Sequence, residues 1–196
     1  MLNPRRTYLL YFLSLLLLIP GSCDTGNIRV VSHTLTNKWQ FVQGDDIAYA
    51  KPLFDDNSWV IISSNQAFEF QGFPNVDGYV WYRKHFTMPA ELERQIWSVG
   101  GMNIYLGTID DVDQLYVNGM LIDGSGSFPP AYVSAFGTER NYKVPASCLL
   151  RGKNNVLAVR VYDGNNTGGI VADSIVIRNL SPEEMAIFST AQKQKP

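Results

Sequence analysis

Apolar and polar residues alternate in several short segments beyond residue 37, which is the pattern of strands with one buried and one exposed face. In the segment 155–162, Leu157, Val159 and Val161 fall on one face and the residues between them fall on the other. The alternation begins at Lys38–Gln43, and further strands are predicted at Val60–Ser63, Gly78–Met88, Gln95–Val99, Asn103–Ile109, Gln114–Asn118, Asn141–Val144 and Ser174–Ile177. The sequence has no alternation of strands with helices and no Gly-x-Gly-x-x-Gly or Walker loop, so it predicts an antiparallel all-β fold rather than a nucleotide-binding α/β fold.

Three local signals refine this prediction. Asn118-Gly119 stands between two apolar runs and favours the two-residue turn of a tight hairpin, because both residues tolerate positive φ. The segment 52–59 predicts a helical turn or a tight loop that brings Phe54 and Trp59 to the core. Near the C-terminus, Ser181-Pro-Glu-Glu184 combines an N-cap, a proline in the first turn and a capping-box glutamate, which predicts a short helix through Ala191.

The N-terminal segment has the organisation of an export signal. Two arginines precede the apolar run Tyr8–Ile19, whose residues span about 18 Å as a helix, well short of the ~30 Å hydrocarbon core of a bilayer. A signal peptide over residues 1–22 is therefore favoured over a transmembrane helix. Gly21 and Ser22 directly precede Cys23, and this arrangement resembles the lipobox of bacterial lipoproteins, in which the cysteine is lipidated. Pro20 stands where that motif usually has leucine, so an ordinary signal peptide with an incidental cysteine is the alternative.

Charge and cysteine content narrow the function classes. The formal net charge is -2, and removal of residues 1–22 takes away two arginines and no acid, which leaves -4. A mildly acidic domain has no positive field for a phosphate backbone, so nucleic-acid binding is not expected. In an exported protein Cys23 and Cys148 could in principle form a disulfide, but Cys148 is expected to be a small core residue because it stands beside two leucines. A lipidated Cys23 would leave it no partner.

An ordered series of motifs extends from about Trp39 to Ile177. The longest is Gly107-Thr-Ile-Asp-Asp-Val-Asp-Gln-Leu-Tyr-Val-Asn-Gly119. The others are Phe54-Asp-Asp-Asn-Ser-Trp59, Gly78-Tyr-Val-Trp-Tyr-Arg-Lys84 with Phe86, Arg140-Asn-Tyr-Lys-Val-Pro145, Gly152-Lys-Asn-Asn-Val-Leu-Ala-Val-Arg-Val-Tyr-Asp163 and Gly168-Gly-Ile170. Together they resemble the sugar-binding jelly-roll domain of family-two glycoside hydrolases and the related module of sialate O-acetylesterases.

The resemblance implies a galactose-binding-like β-sandwich, a jelly roll, over residues 38–180. The signal peptide at 1–22 and a segment with the lipidated cysteine and a polar tether at 23–37 would precede it, and a short helix with a polar tail would follow at 181–196. In the enzymes of this family the module accompanies a catalytic barrel or hydrolase domain, for which this chain has no room.

Sugar recognition needs an aromatic ring against the C–H face of a pyranose and polar groups for its hydroxyls, and loops at one end of a sandwich can supply both. The loop 123–132 carries Phe128 and Tyr132, and the loop 163–169 carries Asp163, Asn165 and Asn166. These five are the candidate ligand residues, although each loop is equally a turn-rich connector. The strand aromatics are expected to pack in the core instead, namely Trp59, Trp81, Tyr82 and Phe86.

Metal binding and catalysis find little support in the sequence. Asp110, Asp111 and Asp113 offer oxygen ligands to a cation such as calcium, but their place at the entry to a hairpin favours capping of a turn, and no metal or other cofactor is predicted. The sequence has no Gly-x-Ser-x-Gly elbow and no recognisable pair of catalytic carboxylates, and His33 and His85 fall in the tether and on a strand. The chain is therefore not predicted to be an enzyme.

These observations lead to the hypothesis of a non-catalytic carbohydrate-binding lipoprotein, exported to the bacterial cell envelope and held at the membrane only by its lipid. Its partner would be a glycan or a glycosylated protein. One alternative is a surface adhesin or structural lipoprotein that has lost sugar binding and contacts proteins. Another is an accessory subunit of a glycoside hydrolase or esterase. Aromatic and glycine-rich loops clustered at one end would favour the first, and an exposed apolar patch without a groove would favour the second.

Overall fold

The computed structural model describes residues 29–74, 76–165 and 167–193. The predicted signal peptide, Cys23 and Asn166 lie outside these ranges. The elements follow in the order β1 (Ser32–Leu35), β2 (Lys38–Gln43), β3 (Val60–Ser63), β4 (Gly78–Phe86), α1 (Ala90–Val99), β5 (Gly101–Asp110), β6 (Val112–Val117), β7 (Met120–Ser125), β8 (Glu139–Pro145), β9 (Asn155–Asp163), β10 (Gly169–Val171), β11 (Ile175–Asn179) and α2 (Pro182–Lys193).

The strands form two antiparallel sheets that face each other, which confirms the predicted β-sandwich. One sheet has six strands in the order β3-β2-β4-β9-β6-β7. In the five-stranded sheet β1 pairs with β11, and β5 pairs with β8, β10 and β11. Because β1 is hydrogen-bonded to β11, the sandwich already begins at Ser32, and His33 belongs to a strand within the range assigned above to the tether.

The core lies between the two sheets and consists of the inward-facing residues of the alternating strands. On β9 these are Leu157, Val159 and Val161, which are fully buried as the alternation predicts. The facing residues of the other sheet include Ile104, Leu106, Ile175 and Ile177.

The hairpin between β6 and β7 has the predicted two-residue turn. Val117 is directly opposite Met120, and the turn residues Asn118 and Gly119 have φ of 50° and 85°. The Asn118 side chain donates to the carbonyl of Cys148 and accepts from the backbone N–H of Val156. Tertiary contacts therefore stabilise a turn that its own dipeptide already favours.

The prediction of a strand at Gln95–Val99 is wrong, because these residues belong to helix α1. The helix buries Leu92, Ile96 and Val99, which are spaced four and three residues apart and so share one face. Gly100, at φ 87°, ends the helix and donates to the carbonyl of Ile96. The five-residue window used for the strand was too short to show the helical period.

Phe54 and Trp59 do not reach the core between the sheets. Both are half-buried on the outer face of the six-stranded sheet, where their ring centroids lie 5.7 Å apart. They cover Arg83, whose Nε donates to Asp56 Oδ2 at 2.7 Å. Trp81 also faces outward and is buried in a second, smaller cluster with Tyr116, whereas Tyr82 and Phe86 lie in the core as predicted.

The C-terminal helix α2 begins with the predicted capping box. The backbone N–H of Glu184 donates to Ser181 Oγ at 3.2 Å, and the backbone N–H of Ser181 donates to Glu184 Oε2 at 2.9 Å. Within residues 29–74, 76–165 and 167–193, neither this helix nor any other is long and apolar enough to cross a membrane.

Candidate functional site

Three connections between the two sheets lie at the same end of the sandwich. β5 leads into β6 through Asp111, β7 into β8 through residues 126–138, and β9 into β10 through residues 164–168. The strand registers bring them together, because Asp110 at the end of β5 is opposite Gly169 at the start of β10. Likewise β8 begins beside this end of β5, and β7 ends beside the start of β6. We call these connections, together with Asp110, the loop end.

A buried arginine on β8 fixes two of these connections. Arg140 Nε donates to Asp113 Oδ1 at 2.7 Å, and both side chains are fully buried. The guanidinium also donates to the backbone carbonyls of Ile109, Asp111, Ala135 and Thr138. Both partners of this ion pair belong to motifs that carry the family resemblance, so these two motif residues have a structural role. Because Asp113 is bonded to Arg140, it is not available as a cation ligand.

The Asp111 side chain links the connection between β7 and β8 to the connection between β9 and β10. Its Oδ1 accepts from Ser134 Oγ at 2.6 Å, its Oδ2 accepts from the backbone N–H of Gly164 at 3.0 Å, and the Tyr132 hydroxyl faces the same carboxylate. Burial alone would raise the pKa of Asp111, but these donors stabilise the charged form and lower it to about 2. The carboxylate is therefore ionised throughout the physiological range.

The pKa of the neighbouring Asp110 is shifted in the opposite direction. Its pKa is raised to about 7 by burial first and then by the Asp111 carboxylate, with a smaller contribution from Asp163, while Arg140 acts in the other direction. Asp110 consequently changes its charge near neutral pH at the centre of the loop end.

Two of the candidate ligand residues, Phe128 and Tyr132, lie together on the outer face of the six-stranded sheet. Phe128 is stacked on Tyr79, with ring centroids 5.7 Å apart and planes at 9°, and Tyr132 lies 5.5 Å from Tyr162. Arg160 Cζ lies 4.4 Å from the Phe128 centroid and 4.6 Å from the Tyr79 centroid. We call these five residues the aromatic patch. Tyr132 is 41 % exposed, so the patch presents an accessible ring to solvent.

The guanidinium of Arg160 is held in place within the aromatic patch. Its Nε donates to Asp45 Oδ1 at 2.6 Å, a second nitrogen bonds the other oxygen of Asp45, and a third donates to Gln114 Oε1 at 3.3 Å. This network keeps a flat cation against two rings, and the Gln114 amide beside it adds a polar group.

Asp163 lies on the opposite side of β9 from Tyr162, since side chains alternate along a strand. It is fully buried at the end of the core, where its Oδ1 accepts from the backbone N–H of Asn165 at 3.0 Å. Its pKa is raised to about 6 by burial, with a further contribution from Glu69. Asn165 is exposed, and Asn166 lies outside the described residues. The structure thus separates Asp163 from the aromatic pair that was predicted to share its ligand.

Sequence reasoning missed three members of the aromatic patch: Tyr79, Arg160 and Tyr162. Alternation already placed Arg160 and Tyr162 on one face of β9, and Tyr79 on one face of β4. Only the pairing of β4 with β9, which sets Tyr79 opposite Tyr162, shows that the two faces form one surface.

The aspartates considered as cation ligands are engaged within the protein. Asp113 accepts hydrogen bonds from Arg140 and from the Tyr142 hydroxyl. Asp111 accepts hydrogen bonds from the Ser134 hydroxyl and from the backbone N–H of Gly164. Across the three described ranges, no group of three or more acidic, histidine or cysteine side chains is arranged to hold a metal ion.

The two histidines lie away from the loop end. His33 is on β1, at the edge of the five-stranded sheet. His85 Nε2 is 2.8 Å from Asp56 Oδ2, and its Nδ1 is 3.2 Å from the Asn154 amide, so both ring nitrogens contact polar groups. This contact assigns His85 to the structural cluster around Arg83.

Comparison with known proteins gives a fold relationship. No protein-family model matches the chain, and no curated protein sequence matches it. Among solved structures, the β-glucuronidase of Bacteroides uniformis is similar over 76% of this chain and 18% of its own, with a TM-score of 0.61 and 20% identity. A glycosyl hydrolase family 2 member from Bacteroides cellulosilyticus matches 75% of this chain and 20% of its own, with a TM-score of 0.60 and 20% identity. For the β-glucuronidase of Ruminococcus gnavus the shares are 76% and 28%, with a TM-score of 0.60 and 16% identity.

The chain spans less than a third of the length of each of these enzymes. At this identity the similarity concerns the fold, and it confirms at that level the likeness to family-two glycoside hydrolases that the motifs indicate. The sandwich described above thus shares the fold of a domain that occurs in these enzymes.

Proposed function

We propose that the protein is a non-catalytic module that binds carbohydrate at its loop end. The observation that carries the proposal is the aromatic patch, in which the exposed ring of Tyr132 lies against Tyr162 and the guanidinium of Arg160 is fixed against Phe128 and Tyr79. An aromatic ring packs against the C–H face of a pyranose, while guanidinium and amide groups bond its hydroxyls. The fold shared with family-two glycoside hydrolases supports the same class of ligand.

The test is retention of the full chain, purified in detergent, on a panel of immobilised polysaccharides and on a glycan array. We expect Tyr132→Ala and Phe128→Ala each to weaken binding by about five- to tenfold, since each removes a ring worth about 1–1.5 kcal/mol of contact. The matched control is Phe70→Ala, which removes a 69 % exposed phenylalanine outside the aromatic patch and should leave binding within twofold. Failure of the unsubstituted chain to bind any glycan would remove the proposal.

The non-catalytic part of the proposal has its own test. Incubation with a panel of aryl glycosides and aryl acetates should release no aryl alcohol above the level of the heat-denatured protein. Release that depends on Asp110 would instead assign hydrolysis to the loop end.

The proposal includes export and attachment to the membrane through a lipid on Cys23. It is supported by the apolar run Tyr8–Ile19 and by the small residues before the cysteine. Metabolic labelling with a palmitate analogue should mark the chain, Cys23→Ala should abolish the label, and Cys148→Ala, the matched control, should retain it. Label that persists in Cys23→Ala contradicts the anchor.

A second candidate function, contact with a protein, is favoured by one observation at the other end of the molecule. A groove of about 490 Å³ runs between α2 and the sheets and is lined by Leu121, Ile187 and Phe188 among others. Ile187 and Leu121 are 66 % and 54 % exposed. Substitution of Ile187 by Asp should abolish such a contact and leave glycan binding unchanged, which separates the two functions.

A further inference from the structure

The loop end also has a concave feature that is not lined by any residue of the aromatic patch. It is a cavity of about 310 Å³ formed by the end of β5, the start of β10 and the connections on either side. Its lining includes Ala67, Thr108, Asp110, Phe136, Gly137 and Thr167. The volume is at the lower end of the range for small-molecule sites and suits one six-membered ring.

The Phe136 ring at this cavity is unusually accessible and yet has a fixed backbone. It is 73 % exposed, although a phenylalanine is among the residues most often buried. Its backbone N–H donates to Ser134 Oγ at 3.0 Å, and that hydroxyl donates to Asp111 at 2.6 Å. The preceding residue, Ala135, donates to the Asp111 carbonyl and accepts from Arg140. The protein therefore presents the ring on a rigid support, which lowers the entropic cost of binding.

The polar groups of the cavity suit hydroxyls. Thr108 Oγ1 donates to the Val171 carbonyl at 3.1 Å, so its hydroxyl oxygen still has lone pairs to accept. The half-buried carboxyl group of Asp110 adds a stronger acceptor. One exposed ring with one carboxyl and two threonine hydroxyls is a set that recognises the C–H face and the hydroxyls of a sugar.

The charges around the cavity select against anions. Asp110 lines it, Asp111 and Asp163 act on Asp110 electrostatically, and the nearby cation, Arg140, is bound to Asp113 and to backbone carbonyls. A uronic acid or a sulfated sugar would bring a further negative charge to a cavity whose lining, among the residues that the structure describes, includes no lysine or arginine.

We propose that this cavity binds a single uncharged pyranose, such as the terminal residue of a glycan, with its ring on Phe136 and its hydroxyls on Asp110 and the threonines. This inference rests on the proposed carbohydrate binding and deepens it. The connection between β7 and β8 contains both Tyr132, which belongs to the aromatic patch, and Phe136, which lines the cavity. The loop end therefore offers one glycan two contact surfaces.

The experiment uses the full chain in detergent and titrates methyl glycosides of glucose, galactose and mannose, together with glucuronate and galacturonate, with ligand-observed NMR as the readout. We expect at least one neutral glycoside to bind, and the corresponding uronate to bind at least tenfold more weakly. Phe136→Ala and Asp110→Asn should each weaken the binding of the neutral glycoside at least tenfold. Phe70→Ala, an equally exposed phenylalanine that does not line the cavity, should change it less than twofold. Thermal melts show that the variants are folded.

The outcomes separate this inference from the function on which it rests. Neutral-sugar binding that survives both cavity variants and is lost in Tyr132→Ala overturns the cavity assignment and leaves carbohydrate binding in place. Equal or tighter binding of the uronate overturns the selectivity. If the chain binds no glycan and no polysaccharide, both the proposed function and this inference are overturned.

Discussion

At the scale of single residues, adjacent aspartates differ because of their donors. Asp111 is surrounded by the Ser134 hydroxyl, the Tyr132 hydroxyl and the Gly164 N–H, which outweigh the effect of burial. Asp110 has the Asp111 carboxylate as its neighbour instead, so burial and repulsion both disfavour its charge. Their sequence neighbourhood is nearly identical, and only the contacts of the folded chain distinguish them.

Asp110→Asn should therefore stabilise the protein at alkaline pH. Because the folded pKa of about 7 lies above the value of 3.8 for the free side chain, the stabilisation from protonated Asp110 is present below pH 4 and is lost as the pH rises through 7. The variant escapes that loss, so its free energy of unfolding should exceed that of the wild type by about 1 kcal/mol at pH 8, a figure reduced for solvent screening, and match it near pH 4. Urea unfolding across this pH range measures the difference.

Asp111→Asn is the matched control with the opposite sign. Its folded pKa of about 2 lies below 3.8, so the stabilisation from the ionised carboxylate is present above pH 4 and is lost as the pH falls through 2. This variant should be less stable than the wild type at pH 8, with the gap closing towards pH 2. Parallel behaviour of the two variants would contradict the assignment of their environments.

At the scale of elements, the structural role of the family motifs is to fix loops with buried arginines. Arg140 joins the end of β5 to the connection before β8, and Arg83 on β4 joins Asp56 to the backbone of the segment 49–54. A planar guanidinium with five donors can bond a carboxylate and four carbonyls at once, whereas an ammonium group has only three donors and no planar fork. A strand end and a loop thereby become one rigid unit.

Arg140→Lys should destabilise the fold by about 3 kcal/mol, because the charge remains but the carbonyls of Ile109 and Ala135 lose their donors and Asp113 loses its close partner. Sugar binding should weaken as well, since the connection that carries Phe136 is no longer held. The matched control is Arg94→Lys on α1, where an exposed pair with Glu91 should contribute less than 0.5 kcal/mol. Equal losses in the two variants, measured by chemical denaturation, would refute the role of Arg140.

At the scale of the whole molecule, the two ends of the sandwich are formed by different kinds of elements. One end has the three sheet-to-sheet connections, and the other has the helices, with Met185 of α2 packed against Gly100 and Arg178 paired with Glu184 at 2.7 Å. The cavity and the aromatic patch belong to the first end, and the apolar groove beside α2 belongs to the second. The two candidate functions therefore use separate surfaces.

Removal of residues 181–196 should leave a folded sandwich that still binds sugar. The partly exposed ion pair and the Met185 contact together contribute about 1–2 kcal/mol, so the melting temperature should fall by about 5 °C. Glycan affinity should stay within twofold of the full chain. A folded truncation that no longer binds sugar would place the ligand in the groove beside α2.

The sequence by itself determined the features that depend on neighbours in the chain. The period of two predicted most strands, Asn118-Gly119 predicted the hairpin, and Ser181 with Glu184 predicted the capped helix, because side-chain alternation, positive φ and capping act over a few residues. The helix at Ala90–Val99 was also within reach of such reasoning, but only in a window that covers two or more helical turns.

Only the tertiary structure decided which surfaces these elements share. Alternation showed that Tyr162 and Asp163 point in opposite directions, but not that Tyr162 meets Tyr79 and Phe128 outside the sandwich while Asp163 is buried within it. The cavity beside Phe136 likewise depends on the registers of β5 with β8 and β10. Strand pairing joins residues far apart in the chain through backbone hydrogen bonds that carry no side-chain identity, so the sites that result from it are not visible in the local pattern.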